Sequence, residues 1–354
     1  MIVADSTPEH ADAGLAGDRQ HVGGYELGQL LGVGGMAEVF KAEYTPVRGA
    51  RRTVVVKRVL PRHANNSEFT KLFVAEAKIL GLLNHPNVVQ AYDFGESNGS
   101  LFLVLEYVDG PSIAEALAIL RELGREMPLA AAAHFAHEVC LALDYVHNLK
   151  GGDGESLNVI HRDVTPSNIL LTKAGGIKLL DFGVAKYRAS QVETSQGLIK
   201  GKAAYLAPET LEARPIDSRI DIFSLGIVLH EMLTLNGLFE SDNHMLTFRK
   251  ILTLPIDPPS KTRPSVPPEL DAIVMKALER DPARRYQTAG EMATDLRRFV
   301  VENGLPENWN GAFVRALDDL IPGEPRATPI DVTAATANEL PSPSGNDLDP
   351  PVSR

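Results

Sequence analysis

The chain has 354 residues, 44% of them hydrophobic and 23% charged, which fits a globular protein long enough to bury a sizeable core. Lys plus Arg number 35 and Asp plus Glu 46, a formal net charge of −11, which disfavours nucleic acid or an anionic membrane as a partner. The single cysteine, Cys140, excludes an intramolecular disulfide framework and a thiolate zinc cluster, and its place mid-helix reads as a buried structural thiol.

Residues 1–24 are polar and small, without the basic start and apolar run of a secretory signal, and read as a disordered tail. Short β-type runs follow at 25–31, 39–44, 53–59, 88–93 and 101–106, interrupted by one helix-period segment at 67–83. From about residue 110 helical patterns take over, at 113–123, 129–148, 220–235, 269–279 and 289–301, with strand-like pieces at 169–172 and 177–180. The most apolar stretch, 220–235, contains Asp221, His230 and Glu231, so no membrane span is expected and the cytoplasm is the expected location. Residues 151–155 read as a flexible insertion, and the Pro-rich 255–268 as a stiff connector or a docking surface. Residues 303–322 read as a short, partly helical extension, and the Pro-rich 323–354 as a disordered tail. A small sheet lobe (25–108) before a larger helical lobe (109–302) is an α+β arrangement whose interlobe cleft is the favoured ligand site.

Chemistry-bearing residues cluster toward that cleft. The run Gly32-Val33-Gly34-Gly35-Met36-Ala37-Glu38-Val39 lies between two predicted strands, where glycines let backbone N–H groups approach an anion. It lacks the Gly-Lys-Ser/Thr ending of a P-loop and enters a strand rather than a helix, so an ordinary Gly-rich hairpin is the competing reading. Lys57 ends the run Val54-Val55-Val56 and is either an inward lysine or an edge-strand gatekeeper. In the next helix Phe69, Phe73, Glu76, Leu80 and Leu83 share one stripe, which puts a carboxylate on an apolar face. Such a group needs a partner, and Lys57 is the candidate. His134 and His137 are spaced i, i+3 like a metal pair, but a metal site is not expected there.

Further on come His161-Arg162-Asp163-Val164-Thr165-Pro166-Ser167-Asn168, then Asp181-Phe182-Gly183, 18 residues after Asp163, then Ala207-Pro208-Glu209. With these the chain resembles the protein kinases, specifically the bacterial eukaryotic-like (Hanks-type) Ser/Thr kinases. The resemblance implies a bilobal kinase fold over 25–302, with a small β-rich N-lobe carrying one key helix and a larger α-helical C-lobe. It also implies a Ser/Thr kinase using ATP and Mg²⁺ on protein substrates, with autophosphorylation of the activation loop. By that resemblance Leu31 and Gly35 bind the nucleotide, and Gly32, Gly34 and the backbone to Val39 cover the ATP phosphates. Lys57 holds the α- and β-phosphates and pairs with Glu76. Asp163 is the base, and Asn168 and Asp181 hold Mg²⁺. Leu105 is the gatekeeper, Glu106 to Val108 the hinge, and Val39, Val55 and Leu170 surround the adenine. Asp221 accepts hydrogen bonds from the backbone of the Asp163 loop, and Glu209 with Arg285 forms a buried ion pair.

The chain departs from the family in three places. Ala37 stands for the third Gly of the phosphate loop. Thr165 stands where Ser/Thr kinases usually carry a Lys, and Gly201-Lys202 stands where they carry Gly-Thr, so Lys and Thr look exchanged between facing positions. Lys202 is then expected to supply the charge missing at Thr165; the competing reading turns it to solvent. Ser190, Thr194 and Ser195 are candidate phosphorylation sites that would pair with Arg162 and Lys186, against a plain solvated loop. A pseudokinase scaffold and a small-molecule phosphotransferase remain as alternatives. The sequence leaves the oligomeric state open.

Overall fold

The computed structural model describes residues 20–34, 37–46, 49–63, 66–181, 202–303 and 309–318. The N-terminal half is one antiparallel sheet of six strands in the order β1-β2-β3-β4-β6-β5. These are β1 (His21–Val22), β2 (Tyr25–Val33), β3 (Ala37–Tyr44), β4 (Arg52–Val59), β5 (Ala91–Ser97) and β6 (Ser100–Glu106). His21 and Val22 pair with Glu26 and Tyr25, so regular structure begins inside the stretch read as a tail. Helix α1 (Ser67–Leu82) crosses from β4 toward β5.

The period of two along β4 decides what faces the cleft. Val54 and Val56 join Ala42, Phe102 and Val104 in a small outer cluster. Val55 and Val59 join Val39, Leu103 and Leu105 in the main core. Lys57 lies between Val55 and Val59 on that inner side, opposite Val39 on β3 and Leu103 on β6. On α1 the buried face is Leu72, Phe73, Glu76, Ala77 and Leu80. Phe69, expected on the stripe, is only half-buried and packs edge-on against His63, 4.7 Å between centroids.

Strand β5 corrects the expected 88–93. Val88 and Val89 are buried, but they belong to the junction between the lobes. Val88 bridges Leu179 in parallel, the Val89 N–H donates to Leu179 O (3.1 Å), and the Leu179 N–H donates to Asn87 O (2.8 Å). The strand that follows is an exposed edge, so its apolar alternation is weak.

The C-terminal half packs α2 (Ile113–Glu122), α3 (Leu129–His147), α4 (Pro208–Leu211), α5 (Arg219–Thr234), α6 (His244–Thr253), α7 (Pro259–Thr262), α8 (Pro268–Ala277) and α9 (Ala289–Glu302). The β-ribbon β7 (Ile169–Leu171) and β8 (Ile177–Leu179) roofs it on the cleft side. Ser112 caps α2 in a reciprocal box with Glu115. Gly110 is required by close approach: a Cβ there would lie 1.9 Å from Leu171 O. Helix α5 is buried from Ile220 to Thr234, as a central core helix is. Among the described residues no helix is long and apolar enough to cross a membrane.

Helix α6 has no counterpart in the sequence reading, because only Thr247 and Ile251 of its ten residues are buried. The Pro-rich 255–268 is anchored at Pro259, Arg263 and Val266, which are buried, between more exposed residues. Arg263 is buried and donates to Met127 O (2.8 Å) and Leu233 O (3.3 Å). Helix α10 (Trp309–Asp318) buries Val314 and Leu317, and Phe313 packs beside Phe135. Cys140 is fully buried, which pushes its thiol well up.

The deepest ion pair is Arg285 with Glu209, bidentate at 2.7 and 2.7 Å. All five guanidinium N–H groups are used, the other three by Glu279 O, Arg219 O and Arg280 O. Removing one partner leaves a buried charge, so Arg285→Leu should lower the unfolding free energy by about 3–5 kcal/mol, read from the denaturant midpoint. Arg284→Ala, at an exposed neighbour, should change it little.

Two buried histidines set a pH dependence. Burial holds His161 and His230 below the usual histidine range, so each takes up its proton at a lower pH when folded than when unfolded. In the unfolded chain they take up protons near pH 6.5. The unfolded state then binds more protons, and stability falls as pH drops through that value, by up to about 1.4 kcal/mol per pH unit and histidine. The thermal midpoint should therefore fall between pH 7.5 and 5.5, and His230→Gln should reduce the fall.

Candidate active site

The interlobe cleft gathers the predicted charged residues. Lys57 Nζ lies 2.7 Å from Glu76 Oε1 and 3.4 Å from Asp181 Oδ1, with Lys57 and Glu76 both buried. Burial would push the Lys57 ammonium down, but Asp181 and Glu76 together hold it well above the usual lysine range. Burial raises the Glu76 carboxyl against the pull of Lys57. At 2.7 Å the contact is a charge-assisted hydrogen bond that joins β4 to α1.

Opposite lies the loop 161–168. Asp221, at the start of α5, accepts from the His161 N–H (2.8 Å), the Arg162 N–H (2.7 Å) and His147 Nε2 (2.8 Å). Its burial would raise the carboxyl, yet the His147 bond and charge and the Arg162 N–H hold it below the usual range. His161 is fully buried and neutral. Its Nε2–H donates to Leu180 O (2.8 Å), and its Nδ1 accepts from the Asp163 N–H (3.2 Å). The Asp163 carboxylate is thereby held at the cleft floor.

Asn168 is fully buried, and its Nδ2 donates to Asp163 O (2.8 Å) and Oδ2 (2.9 Å). Its Oδ1 is a buried oxygen without a hydrogen-bond partner. A buried orphan acceptor is costly, and here it accompanies the Asp181 carboxylate. Two hard oxygen donors of this kind fit Mg²⁺, which takes few protein ligands and keeps water or phosphate oxygens for the rest.

The predicted nucleotide wall is apolar. Leu31, Val39, Val55, Leu105, Val108 and Leu170 are all buried in the main core. Gly32 pairs with Val39 across the β2–β3 hairpin, and the Gly34 N–H donates to Ala37 O (2.8 Å); Gly35 lies outside the described residues. The Glu106 carboxylate accepts from Lys178 Nζ (2.8 Å) on β8, and the Glu106 N–H donates to Gln90 O (2.8 Å). Nothing in the sequence pointed to Lys178, which ties the end of β6 to the ribbon below.

Two further predicted residues sit beside Asp163. Lys202 Nζ lies 3.0 Å from Asp163 Oδ2, and its side chain is 11% exposed, so it does not turn to solvent. Thr165 is buried, and its Oγ1 pairs with Ser167 Oγ (3.2 Å). Phe182, Gly183, Lys186, Ser190, Thr194, Ser195 and Gly201 lie outside the described residues. His134 and His137 sit on α3, where His137 Nδ1 contacts Ala293 O (3.0 Å) on α9.

Comparison with known proteins agrees with this geometry. The protein kinase domain model matches residues 25–296. The chain is 37% identical over 303 residues to the tyrosine-protein kinase MasK of Myxococcus xanthus, covering 86% of this chain and 47% of that protein. It is 38% identical over 309 residues to the serine/threonine-protein kinase PknB of Mycolicibacterium smegmatis, covering 85% and 45%. A probable serine/threonine-protein kinase of Streptomyces coelicolor is 37% identical over 280 residues, covering 77% and 39%. The chain thus spans less than half the length of these relatives. The match spans both lobes, and the chain belongs to the protein kinase family.

Proposed function

We propose that the chain is a protein serine/threonine kinase that transfers the γ-phosphoryl group of Mg–ATP to Ser or Thr hydroxyls of proteins, its own activation segment included. The observation that carries this is the paired constellation of the cleft: Lys57 between Glu76 and Asp181, facing Asp163 with Asn168. A nucleotide-binding scaffold would need none of the second group. The names of the bacterial relatives support the enzyme reading, and PknB supports the Ser/Thr acceptor. The net charge of −11 supports protein rather than nucleic acid as acceptor, and a kinase of this kind works in the cytoplasm, where ATP is supplied.

The roles follow from the chemistry. Phosphoryl transfer spreads charge over peripheral oxygens, so positioning and charge matter more than a covalent nucleophile. The apolar wall of Leu31, Val39, Val55, Leu105 and Leu170 takes the adenine, with backbone groups of Glu106 to Val108 alongside. Lys57 holds the α- and β-phosphates, its orientation set by Glu76. Asn168 and Asp181 hold Mg²⁺, which neutralises charge on the phosphate oxygens when bound. Asp163 orients the acceptor hydroxyl. As the new O–P bond forms and the bond from Pγ to the β,γ-bridging oxygen breaks, the hydroxyl proton passes to the Asp163 carboxylate and ADP leaves.

Incubation with γ-labelled ATP should put label on Ser or Thr of the chain and of an added protein acceptor. Asp163→Asn should reduce the rate by about 10²–10⁴-fold. No incorporation by the wild type, or an unchanged rate in Asp163→Asn, would overturn the enzyme reading. Label on Tyr instead would move the acceptor to the phenol that the MasK name suggests. Glu76→Gln, which removes the negative charge 2.7 Å from the Lys57 ammonium while keeping an acceptor oxygen, should lower kcat/KM for ATP by at least about tenfold, or about 1.4 kcal/mol.

A further inference from the structure

We propose that Lys202 is a catalytic residue: its ammonium contacts the phosphoryl group in transfer and supplies, from outside the loop of Asp163, the positive charge that the stretch from Asp163 to Asn168 lacks. The inference deepens the kinase reading and rests on it.

Between Asp163 and Asn168 the loop reads Asp-Val-Thr-Pro-Ser-Asn and holds no cation. Its Thr165 is buried and engaged with Ser167, so it brings a hydroxyl and no charge. Among the described residues Lys202 brings an ammonium to 3.0 Å from Asp163 Oδ2. An acceptor hydroxyl that hands its proton to the same carboxylate sits within about 2.6–3.2 Å of it. The attacked phosphorus is bonded to that hydroxyl oxygen as transfer proceeds. The ammonium and the transferring oxygens therefore share one carboxylate as neighbour, and a flexible four-carbon stem with three rotatable donors can reach across.

The position is built rather than incidental. Lys202 opens a 3₁₀ turn, Lys202–Tyr205, in which Ala203 and Ala204 are buried. Ser224 Oγ donates to Tyr205 O (2.7 Å), and Tyr205 OH donates to Glu231 Oε2 (2.5 Å). Glu231 in turn accepts from Arg121 Nη2 (2.7 Å). A surface lysine needs no such mooring. In the transfer step the new O–P bond forms, the bond to the bridging oxygen of ADP breaks, and the proton goes to Asp163. Lys202 exchanges no atoms; it stabilises the charge carried by the oxygens in flight.

The test separates charge from packing. Cys140 is fully buried, so Lys202→Cys introduces the one accessible thiol among the described residues. Single-turnover transfer from γ-labelled ATP to casein should fall by about 10²–10³-fold in Lys202→Cys, the effect of losing one preorganised charge-stabilising donor. Calorimetric affinity for Mg–ATP and the thermal midpoint should stay near wild type. Alkylation with 2-bromoethylamine, checked by intact mass, rebuilds an ammonium at almost the lysine length and should recover at least about tenfold. Alkylation with iodoacetamide, which adds a neutral group, should recover nothing.

Equal recovery by both reagents, or by neither, would assign Lys202 a packing role and overturn the proposal. An undiminished rate in Lys202→Cys would overturn it while leaving the kinase reading intact. A wild type that transfers nothing would overturn both. As a second route, Thr165→Lys with Lys202→Thr returns the charge from the loop itself. It should exceed Lys202→Thr alone, and failure to do so counts against the charge.

Discussion

A lysine ammonium and a glutamate carboxylate, buried together 2.7 Å apart, hold the cleft in register. Either ion alone in that position would cost several kcal/mol of lost hydration, so strand β4 and helix α1 are bound to face each other there. Asp181, 3.4 Å from the same ammonium, arrives from the other lobe and makes Lys57 the meeting point of both halves. Across the floor, Asp163 meets Lys202. Among the described contacts Lys57 meets Glu76 and Asp181 while Lys202 meets Asp163, so carboxylates outnumber ammoniums in these pairs, which suits a dication arriving with phosphate. The partnerless Asn168 Oδ1 makes the same demand in the language of hydrogen bonds.

The backbone at this floor is not relaxed. Arg162 has φ 66° and Asp181 φ 45°, both left-handed and neither a glycine. Such residues cost about 1–3 kcal/mol each and persist only where the surroundings over-determine them. At Arg162 the determinant is Asp221, whose carboxylate takes both the His161 and the Arg162 N–H. Hydrogen bonds to a charged acceptor contribute about 1.5–3 kcal/mol each, enough to offset the strain. A neutral His161, donating to Leu180 O and accepting from the Asp163 N–H, then carries the constraint from Asp221 to the reacting carboxylate.

Much of this was legible in the sequence, for identifiable reasons. Strand β4 is apolar on both faces, so Lys57 broke a pattern, and Glu76 broke the helical stripe in the same way; two costly exceptions at reachable positions implied each other. The run 88–93 misled because its valines are buried for the lobe junction, while the strand beyond is an edge without alternation. Helix α6 went unread because so little of it is buried. The Lys178–Glu106 tie and the Arg121–Glu231–Tyr205 chain were invisible: each joins exposed-looking residues across 72, 110 and 26 positions, and no local period records such contacts. Arg263 was unreadable on the same grounds, since an arginine in a Pro-rich loop gives no sign of capping carbonyls at Met127 and Leu233.

Helix α5 shows why the two sides of the Asp163–Lys202 contact stay aligned. It is buried along almost its whole length, yet it carries Asp221, Ser224 and Glu231. At about 100° per residue those three positions fall within about 80° of arc, on one face. Asp221 holds the backbone of 161–162, Ser224 holds Tyr205 O, and Glu231 holds Tyr205 OH. The loop that presents the carboxylate and the turn that presents the ammonium therefore hang from one rigid element, though their sequence positions are 39 residues apart. A cation carried on the loop itself would need only the loop to be correct. Placed on the turn, as proposed for Lys202, it makes that charge depend on the packing of α5 against both segments, through Ser224 and Glu231 as well as Asp221.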